Sequence, residues 1–395
     1  MNLLREIPFV VPFDDRVTLF RKRVYEVTPD SFGGYFSSAM VEIKRTSVYQ
    51  DAFEAVMRMN DPEQLRGRWR VSFVNAEGLP EAGVDGGGLF KEFMVLLSSQ
   101  AFTDFGLFLE TDSHELYPNP GSSLAADDHL SHFRFLGRII GKALWEGVLV
   151  DAPFAGFFLA KLLGRSATLN DLPSLDVQLA RSISSVLALP PGEVEDLGLT
   201  FALQDDIFGD VRTVRLKGDG DVPVTGDNVA EYALLVAHYR LNVAIRQQAK
   251  AFVQGFSDVV DPDWVKMFPR ESELRLLIEG TREFSVADLR EHCSYQGYEP
   301  GSSPQVEWFW EIVESLSTED RMNLLKFVTS VDRAPLGGFK HLNPKFTVSK
   351  GGETERLPSA STCFHLFKLP PYESKDIMQE KLIMAIRSGA GFEMS

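Results

Sequence analysis

Cysteine is scarce in this chain, which contains only Cys293 and Cys363 among its 395 residues. Two thiols so far apart in the sequence do not form a disulfide framework, so the pattern indicates a reducing compartment, either the cytoplasm or the nucleus. His129 and His132 have helical i,i+3 spacing, but no further cysteine or histidine lies near them. A structural metal needs about four ligands, so we expect no metal site and no cofactor.

Basic runs and long apolar runs are also missing. Lysine and arginine number 40 against 56 aspartate and glutamate residues, which gives a formal net charge of −16. This balance argues against nonspecific nucleic-acid binding and against binding to anionic membranes. No apolar run approaches the ~18 residues that cross a bilayer, and the N-terminus lacks a long apolar signal region. The sequence therefore favours protein partners.

Helical periodicity and short alternating segments together predict a mostly helical α+β fold with small sheets. The composition is that of a globular protein, with 44% hydrophobic residues, and the length allows two or three domains. Apolar spacing predicts helices over about 14–27, 47–59, 88–98, 127–148, 228–255, 305–316, 317–328 and 374–387. Alternation predicts strands over 69–74, 199–203, 211–216, 346–348 and 364–369, with a turn-rich connection at 204–210.

Two changes along the chain indicate domain boundaries. A smaller unit begins near Pro153. The segment Glu279 to Glu283 is the best candidate for a linker, because it lies between a helix that ends near Ile278 and one that starts at Ser285. Its glycine supplies dihedral freedom, and its charged residues keep it in water. We therefore expect a C-terminal part of about 110 residues.

Cys363 lies in that C-terminal part, where small hydroxyl residues precede it and an apolar alternation follows it. The pattern predicts a loop that enters a short strand, a position in which a thiol can be exposed. A thiolate there could act as a nucleophile, since an ordinary cysteine ionises near ~8.5. The spacing alone leaves open an inert, partly buried cysteine. We interpret Cys293, beside His292 at a helix end, as a packing residue.

The surroundings of Cys363 resemble a known family. The segments that carry the resemblance are Glu355-Arg356-Leu357-Pro358, Thr362-Cys363-Phe364, Leu369-Pro370-Pro371-Tyr372 and the ending Ala390-Gly391-Phe392-Glu393. They resemble the active-site segment of HECT-type ubiquitin ligases. Residues 78–88 and 153–158 are most similar to the ligases of this family that work with the proteasome.

The resemblance implies a bilobal HECT domain. Its N-lobe would span residues 1–283, with a helical N-terminal extension at 1–60 and a small subdomain at about 152–235 that binds the ubiquitin-conjugating enzyme (E2). A smaller α/β C-lobe at 284–395 would carry the catalytic Cys363. A flexible hinge at 279–283, including Gly280 and Thr281, would join the two lobes.

The resemblance also implies the chemistry and the partners. Cys363 would accept ubiquitin from the E2 as a thioester and pass it to lysines of substrates or of ubiquitin, building chains for proteasomal degradation. The E2 groove would comprise Leu179, Ile183, Val186 and Tyr232. An ordinary core face is the alternative for these four residues, and their surface exposure distinguishes the two.

Two further residues carry expectations from the family. Phe392, the fourth residue from the end of this sequence, would dock on the N-lobe during transfer, with a simple anchor on the C-lobe as the alternative. His365 stands where family members mostly carry asparagine, which argues against an acid–base role. We expect this histidine either to form hydrogen bonds or to face solvent.

Two other classes of function stay open at this stage. One is a cysteine hydrolase that uses Cys363 and a histidine, and the other is a non-catalytic binding module. A reductant-sensitive ubiquitin adduct separates all three, because a ligase keeps it, a hydrolase turns it over and a binding module never forms it.

Overall fold

A computed structural model describes residues 6–28, 39–75, 79, 88–102, 105–207, 210–281, 284–329, 331–342 and 344–388. The α-helices are α1 (Phe13–Val27), α2 (Val48–Arg58), α3 (Pro62–Arg66), α4 (Gly88–Ala101), α5 (His129–Glu146), α6 (Gly156–Leu162), α7 (Val177–Leu187), α8 (Pro191–Asp196), α9 (Val229–His238), α10 (Arg246–Val259), α11 (Pro262–Val265), α12 (Glu271–Glu279), α13 (Val286–His292), α14 (Pro304–Ser315), α15 (Thr318–Thr329) and α16 (Lys375–Ser388).

The strands are short: β1 (Ala39–Lys44), β2 (Trp69–Val74), β3 (Phe108–Glu110), β4 (Leu116–Pro118), β5 (Ala202–Ile207), β6 (Asp210–Arg215), β7 (Ser294–Gln296), β8 (Thr347–Lys350), β9 (Ser359–Ser361) and β10 (Leu366–Leu369). The predicted α+β class, mostly helical with small sheets, is confirmed. None of the helices in the described ranges is both long and apolar enough to cross a membrane.

Buried apolar side chains of the described residues fall into two clusters. The first runs from Phe20 to Ile278, and the second from Val286 to Ile386. The gap between them contains the predicted linker at 279–283. We call the parts of the chain that contain these clusters the first and the second unit.

Helices α5 and α10 form the centre of the first unit and approach each other very closely. A Cβ atom at Gly137 would lie 2.0 Å from the Phe252 carbonyl oxygen, and one at Gly255 would lie 1.8 Å from the Arg134 carbonyl oxygen. Atoms cannot approach to such distances, so these positions require glycine. Strands β1 and β2 form a parallel pair, with α2 and α3 between them in the sequence.

A small helical region of the first unit carries an antiparallel hairpin. Its strands β5 and β6 pair Ala202 with Arg215 and Ile207 with Asp210. The predicted bounds of the strand at 199–203 and of the turn at 204–210 are wrong, because the first strand runs over Ala202–Ile207 through the acidic stretch. Residues 208–209 of the predicted turn lie outside the described residues. Asp205 can lie in this strand because Arg240 forms an ion pair with its carboxylate and the Tyr239 hydroxyl donates to it at 2.7 Å.

The long helix predicted over 228–255 is interrupted. Helix α9 ends at His238, and a π-helical turn over Tyr239–Val243 precedes α10. The Asn242 side chain in this turn donates to the carbonyl oxygen of Ala167 and accepts from its N–H, both at 3.0 Å. The interruption therefore ties α9 and α10 to the segment that follows α6.

The second unit has a four-stranded sheet in the order β7-β8-β10-β9. Strand β8 is parallel to both β7 and β10, whereas β9 is antiparallel to β10. Helix α13 begins as predicted after Ser285, whose side chain accepts from the Asp288 N–H. The connection between β9 and β10 contains Cys363, so the sheet fixes where this residue lies.

Candidate active site

Cys363 occupies a tight turn between two neighbouring antiparallel strands. Leu366 of β10 lies opposite Ser361 of β9, and residues Thr362–Phe364 between them form one turn of 3₁₀ helix. His365 closes the turn with φ at 48°, the left-handed region that residues other than glycine rarely adopt. Phe364 is 63% exposed. The turn therefore holds the backbone of Cys363 outside the hydrogen-bonding ladder of the sheet.

His365, two residues after Cys363, is almost completely buried, with 1% of its surface exposed. Its Nδ1 lies 2.6 Å from the carbonyl oxygen of Pro344. A carbonyl oxygen only accepts, so Nδ1 carries the proton and Nε2 is left as an acceptor. The Lys91 Nζ lies 3.3 Å from this Nε2. Of the two roles expected for His365, hydrogen bonding agrees with the structure, and facing solvent is wrong.

Burial, and secondly the charge of Lys91, lower the pKa of His365 to about 4. The imidazole is therefore neutral at physiological pH, and both of its nitrogens have partners. A general base needs a free acceptor nitrogen within reach of the proton that it removes. His365 does not provide one in this arrangement.

A cavity of about 740 Å³ lies between the two units, next to the Cys363 turn. Its lining includes Arg21, Arg68 and Lys91 from the first unit, and Arg333, His341 and His365 from the second. Four lysine or arginine side chains line this space, against two acidic ones, Asp14 and Glu146.

The chain crosses from the first unit to the second at the predicted hinge, and the first residues of this crossing are tightly packed. Gly280 has φ at +74° and ψ at −160°, a conformation almost exclusive to glycine. A Cβ atom there would lie 2.6 Å from Leu149 Cδ1 and 3.0 Å from the Ala334 carbonyl oxygen. The Thr281 carbonyl accepts from the Ala334 N–H at 3.1 Å. Arg282 and Glu283 lie outside the described residues, and the flexibility of the hinge stays a prediction.

A buried charge cluster accompanies this crossing. Arg333 of the second unit is nearly buried and forms an ion pair with Asp151 of the first. Glu279 is buried beside Arg275, at 3.9 Å. Burial raises the pKa of Glu279 to about 7, although Arg275 and Arg333 act in the opposite direction. The polar contacts between the units thus include Arg333 and His365, both of which line the cavity.

The four residues predicted for the E2 groove have two kinds of environment. Ile183 and Tyr232 are buried, with 6% and 7% exposed, and the Tyr232 ring packs edge-on against Phe201 at 5.6 Å between ring centres. Leu179 and Val186 are half-buried on the same helix, α7. Exposure thus favours the core alternative for Ile183 and Tyr232, and leaves Leu179 and Val186 accessible.

Cys293 is not equipped to compete with Cys363. Its Sγ–H donates to the Ser294 carbonyl at 3.3 Å, and burial raises the pKa of the thiol to about 12. The thiolate is the nucleophile, so Cys293 is almost entirely unreactive at neutral pH. This environment agrees with the interpretation of Cys293 as a packing residue.

Sequence reasoning missed Lys91, Pro344, Asp151 and Arg333 as partners of the site. Nothing in the local pattern around these residues signals a contact, because each pairs with a residue far away in the sequence. Phe392 lies outside the described residues. Within the described part of the chain, no three His, Cys, Asp or Glu side chains are grouped so that they could hold a metal ion.

Comparison with known proteins identifies the family. Residues 95–395 match the family described as HECT-domain (ubiquitin-transferase). All of this chain aligns with E3 ubiquitin-protein ligase UPL6 of Arabidopsis thaliana at 41% identity, E3 ubiquitin-protein ligase HUL5 of Saccharomyces cerevisiae at 38%, and Ubiquitin-protein ligase E3B of Homo sapiens at 35%. The aligned parts are 39%, 45% and 40% of these relatives.

The chain thus spans about two fifths of the length of the curated relatives that it matches. The predicted resemblance to HECT-type ubiquitin ligases is confirmed by the family match and by these relatives together. This chain belongs to the HECT-domain family of ubiquitin transferases.

Proposed function

We propose that this protein acts as a HECT-type E3 ubiquitin ligase with Cys363 as the residue that carries ubiquitin. The single observation behind this proposal is the placement of Cys363 in the 3₁₀ turn between β9 and β10, in a chain of this transferase family. The other cysteine, Cys293, has a strongly raised pKa and makes a poor acceptor.

The chemistry consists of two acyl transfers. In the first, the Cys363 thiolate attacks the carbonyl carbon of the thioester that joins ubiquitin to the E2, and the E2 thiolate leaves. One thioester replaces another, so this step depends mainly on positioning. In the second, a neutral lysine amine attacks the new thioester, an amide forms, the Cys363 thiolate leaves, and the amine loses a proton.

The structure of the site gives no support to a cysteine hydrolase. Such an enzyme needs a histidine whose free nitrogen reaches the thiol. The nearest histidine in the sequence, His365, uses Nδ1 to donate to Pro344 and Nε2 to accept from Lys91. A ligase does not require that group, because the incoming thioester is already activated.

The proposed partners are an E2 charged with ubiquitin, ubiquitin itself and protein substrates. We place the E2 on the small subdomain, around the half-buried Leu179 and Val186, with the buried Ile183 and Tyr232 supporting this face.

The similarity of residues 78–88 and 153–158 to proteasome-linked ligases supports a role in building ubiquitin chains that the proteasome recognises. The scarcity of cysteine fits a place in the cytoplasm or the nucleus.

Replacing Cys363 tests the acceptor. After incubation with charged E2, the unaltered chain should form a ubiquitin adduct that a thiol reductant removes. Cys363→Ser should form a reductant-resistant ester or no adduct, because an oxygen nucleophile replaces sulfur, and Cys363→Ala should form none. The matched control Cys293→Ala should load normally. A reductant-sensitive adduct on Cys363→Ala, seen on a non-reducing gel, would show that the acceptor is another thiol.

The E2 face is tested by separating loading from stability. Leu179→Ala and Val186→Ala should slow loading several-fold at low E2 concentration with little change in melting temperature, since both side chains are half-exposed. Tyr232→Ala should instead lower stability by ~3 kcal/mol, because its buried ring leaves a cavity beside Phe201. We therefore expect the stability loss to dominate at Tyr232.

Leu197 offers a matched control for this experiment. It belongs to the same subdomain, is 46% exposed, and lies outside the proposed face, so Leu197→Ala should load like the unaltered chain. Normal loading by both Leu179→Ala and Val186→Ala would place the E2 elsewhere.

We retain the proposal that Phe392 docks on the N-lobe during the second step. Burial of a phenylalanine provides ~1.5–3 kcal/mol, enough to fix the geometry of the thioester. Phe392→Ala should leave loading of Cys363 nearly intact and slow its discharge onto free lysine in a single-turnover assay. An equal loss in both steps would instead indicate a simple anchor.

A further inference from the structure

The contact between Lys91 and His365 joins the two units at the active-site turn. Lys91 lies in the first turn of α4 in the first unit, and its Nζ is 3.3 Å from His365 Nε2 in the second. His365 follows Cys363 by two residues and closes the turn that holds it. Any change in this contact therefore acts on the position of the Cys363 backbone.

The hydrogen bond has a defined direction. Pro344 fixes the proton of His365 on Nδ1, so Nε2 offers a lone pair. A lysine ammonium has only protons to donate, and a bond from a charged donor is about twice as strong as a neutral one. The buried imidazole is therefore matched to a cation from the first unit.

The contact between Lys91 and His365 lies on a different part of the first unit from the proposed E2 face, which relates it to the second transfer step. Among the elements of the first unit, α4 makes the main contact with the turn Thr362–Phe364. The proposed E2 face lies on different elements, on α7 and beside α9. The turn that contacts α4 would thus leave this place for Cys363 to collect ubiquitin, and return to it afterwards.

We propose that Lys91 is a positioning residue for the second step, which holds the loaded Cys363 turn against α4 while an acceptor lysine attacks. This inference rests on the proposed function. Attack by a lysine amine needs the thioester to be held in one orientation, and a small misplacement lowers the rate strongly. In this proposal Lys91 acts through His365.

Single-turnover kinetics can separate the two steps. The chain is loaded from charged E2, the E2 is quenched, and discharge onto free lysine is followed. Lys91→Ala should load at a rate within about twofold of the unaltered chain and discharge about tenfold more slowly, the effect of losing one charge-assisted hydrogen bond. Lys91→Arg, which keeps a charged donor, should recover most of the rate.

Lys250 gives a matched control, because it is an exposed lysine of the same unit, and Lys250→Ala should leave both steps unchanged. A double-mutant cycle with His365→Ala adds a test of the pair. If Lys91 acts through His365, the double variant should discharge no more slowly than the slower single variant.

The pH profile supplies a readout that a purely structural role would not change. In the docked turn the pKa of His365 is about 4, whereas a solvated imidazole titrates near ~6.5. Docking therefore releases a proton, and it is weakened as the pH falls below about 6.5. The other ionisable groups lining this space are Arg21, Tyr25, Arg68, Arg333 and His341, with Asp14 and Glu146.

The useful quantity is the ratio of discharge rates between the unaltered chain and His365→Asn, since ionisation of the acceptor lysine cancels in it. This ratio should fall about tenfold from pH 7.5 to pH 5.5, because only the unaltered chain must lose an imidazole proton to dock, and pH 5.5 lies one unit below the free imidazole pKa. His341→Asn should leave this dependence unchanged, which would assign the titration to His365.

Three results would overturn the inference: faster loading with unchanged discharge in Lys91→Ala, an equal fall in both steps together with a lower melting temperature, or no change in either step. The first would show that the contact restrains the unloaded chain, the second that it only supports folding, and the third that it is irrelevant to transfer. Failure of the unaltered chain to form a thioester on Cys363 would instead overturn the proposed function, and this inference with it.

Discussion

The crossing of the chain at Gly280 is the constraint on which the rest of the structure depends. The two hydrophobic clusters end and begin on either side of it, at Ile278 and Val286. At Gly280 itself, a left-handed φ and a close approach to Leu149 and Ala334 leave no room for a side chain. Glycine is therefore required here by local geometry, in addition to any freedom that it gives to the lobes. A proline at this position would distort the crossing, so such a variant would not isolate hinge motion.

Polar contacts between the units supplement this crossing, and they involve residues that line the cavity. Arg333 pairs with Asp151 near Gly280, and Lys91 donates to His365 beside the Cys363 turn. Each hydrogen bond of this kind stabilises an arrangement by only about 1–3 kcal/mol, far less than the burial within either cluster. Polar contacts of this strength are compatible with the proposed hinge motion, and they can favour one arrangement of the units. A ligase that must load at one place and discharge at another needs both properties.

The sequence predicts those parts of the fold that local patterns determine. Apolar spacing locates α1 and α5, alternation locates β2 over Trp69–Val74, and Ser285 marks the start of α13. The predicted bounds of the first strand of the β5–β6 hairpin are shifted, because an aspartate such as Asp205 is typical of a turn. Its place in the strand depends on Tyr239 and Arg240, which bind its carboxylate. The interruption at Tyr239–Val243 likewise depends on Asn242 reaching Ala167.

At the candidate site, too, local patterns predict some features, whereas others depend on residues far away in the sequence. Motif resemblance points to Cys363 and to the face around Leu179, yet periodicity cannot tell the half-buried Leu179 from the buried Ile183 on the same helix. The neutral state of His365 depends on burial and then on the charge of Lys91, whereas Pro344 determines which ring nitrogen carries the proton. Lys91 is 274 residues away in sequence, and no single-sequence pattern indicates such a contact.

The central claim is that two separately packed units move about the crossing at Gly280 to carry Cys363 between partners. Distances between spin labels test it most directly, with labels on cysteines introduced at the exposed Lys250 and Met384 in a Cys293→Ala, Cys363→Ser background. The account predicts two distance populations whose proportions shift when charged E2 is added. One narrow distribution, identical with and without charged E2, would contradict it.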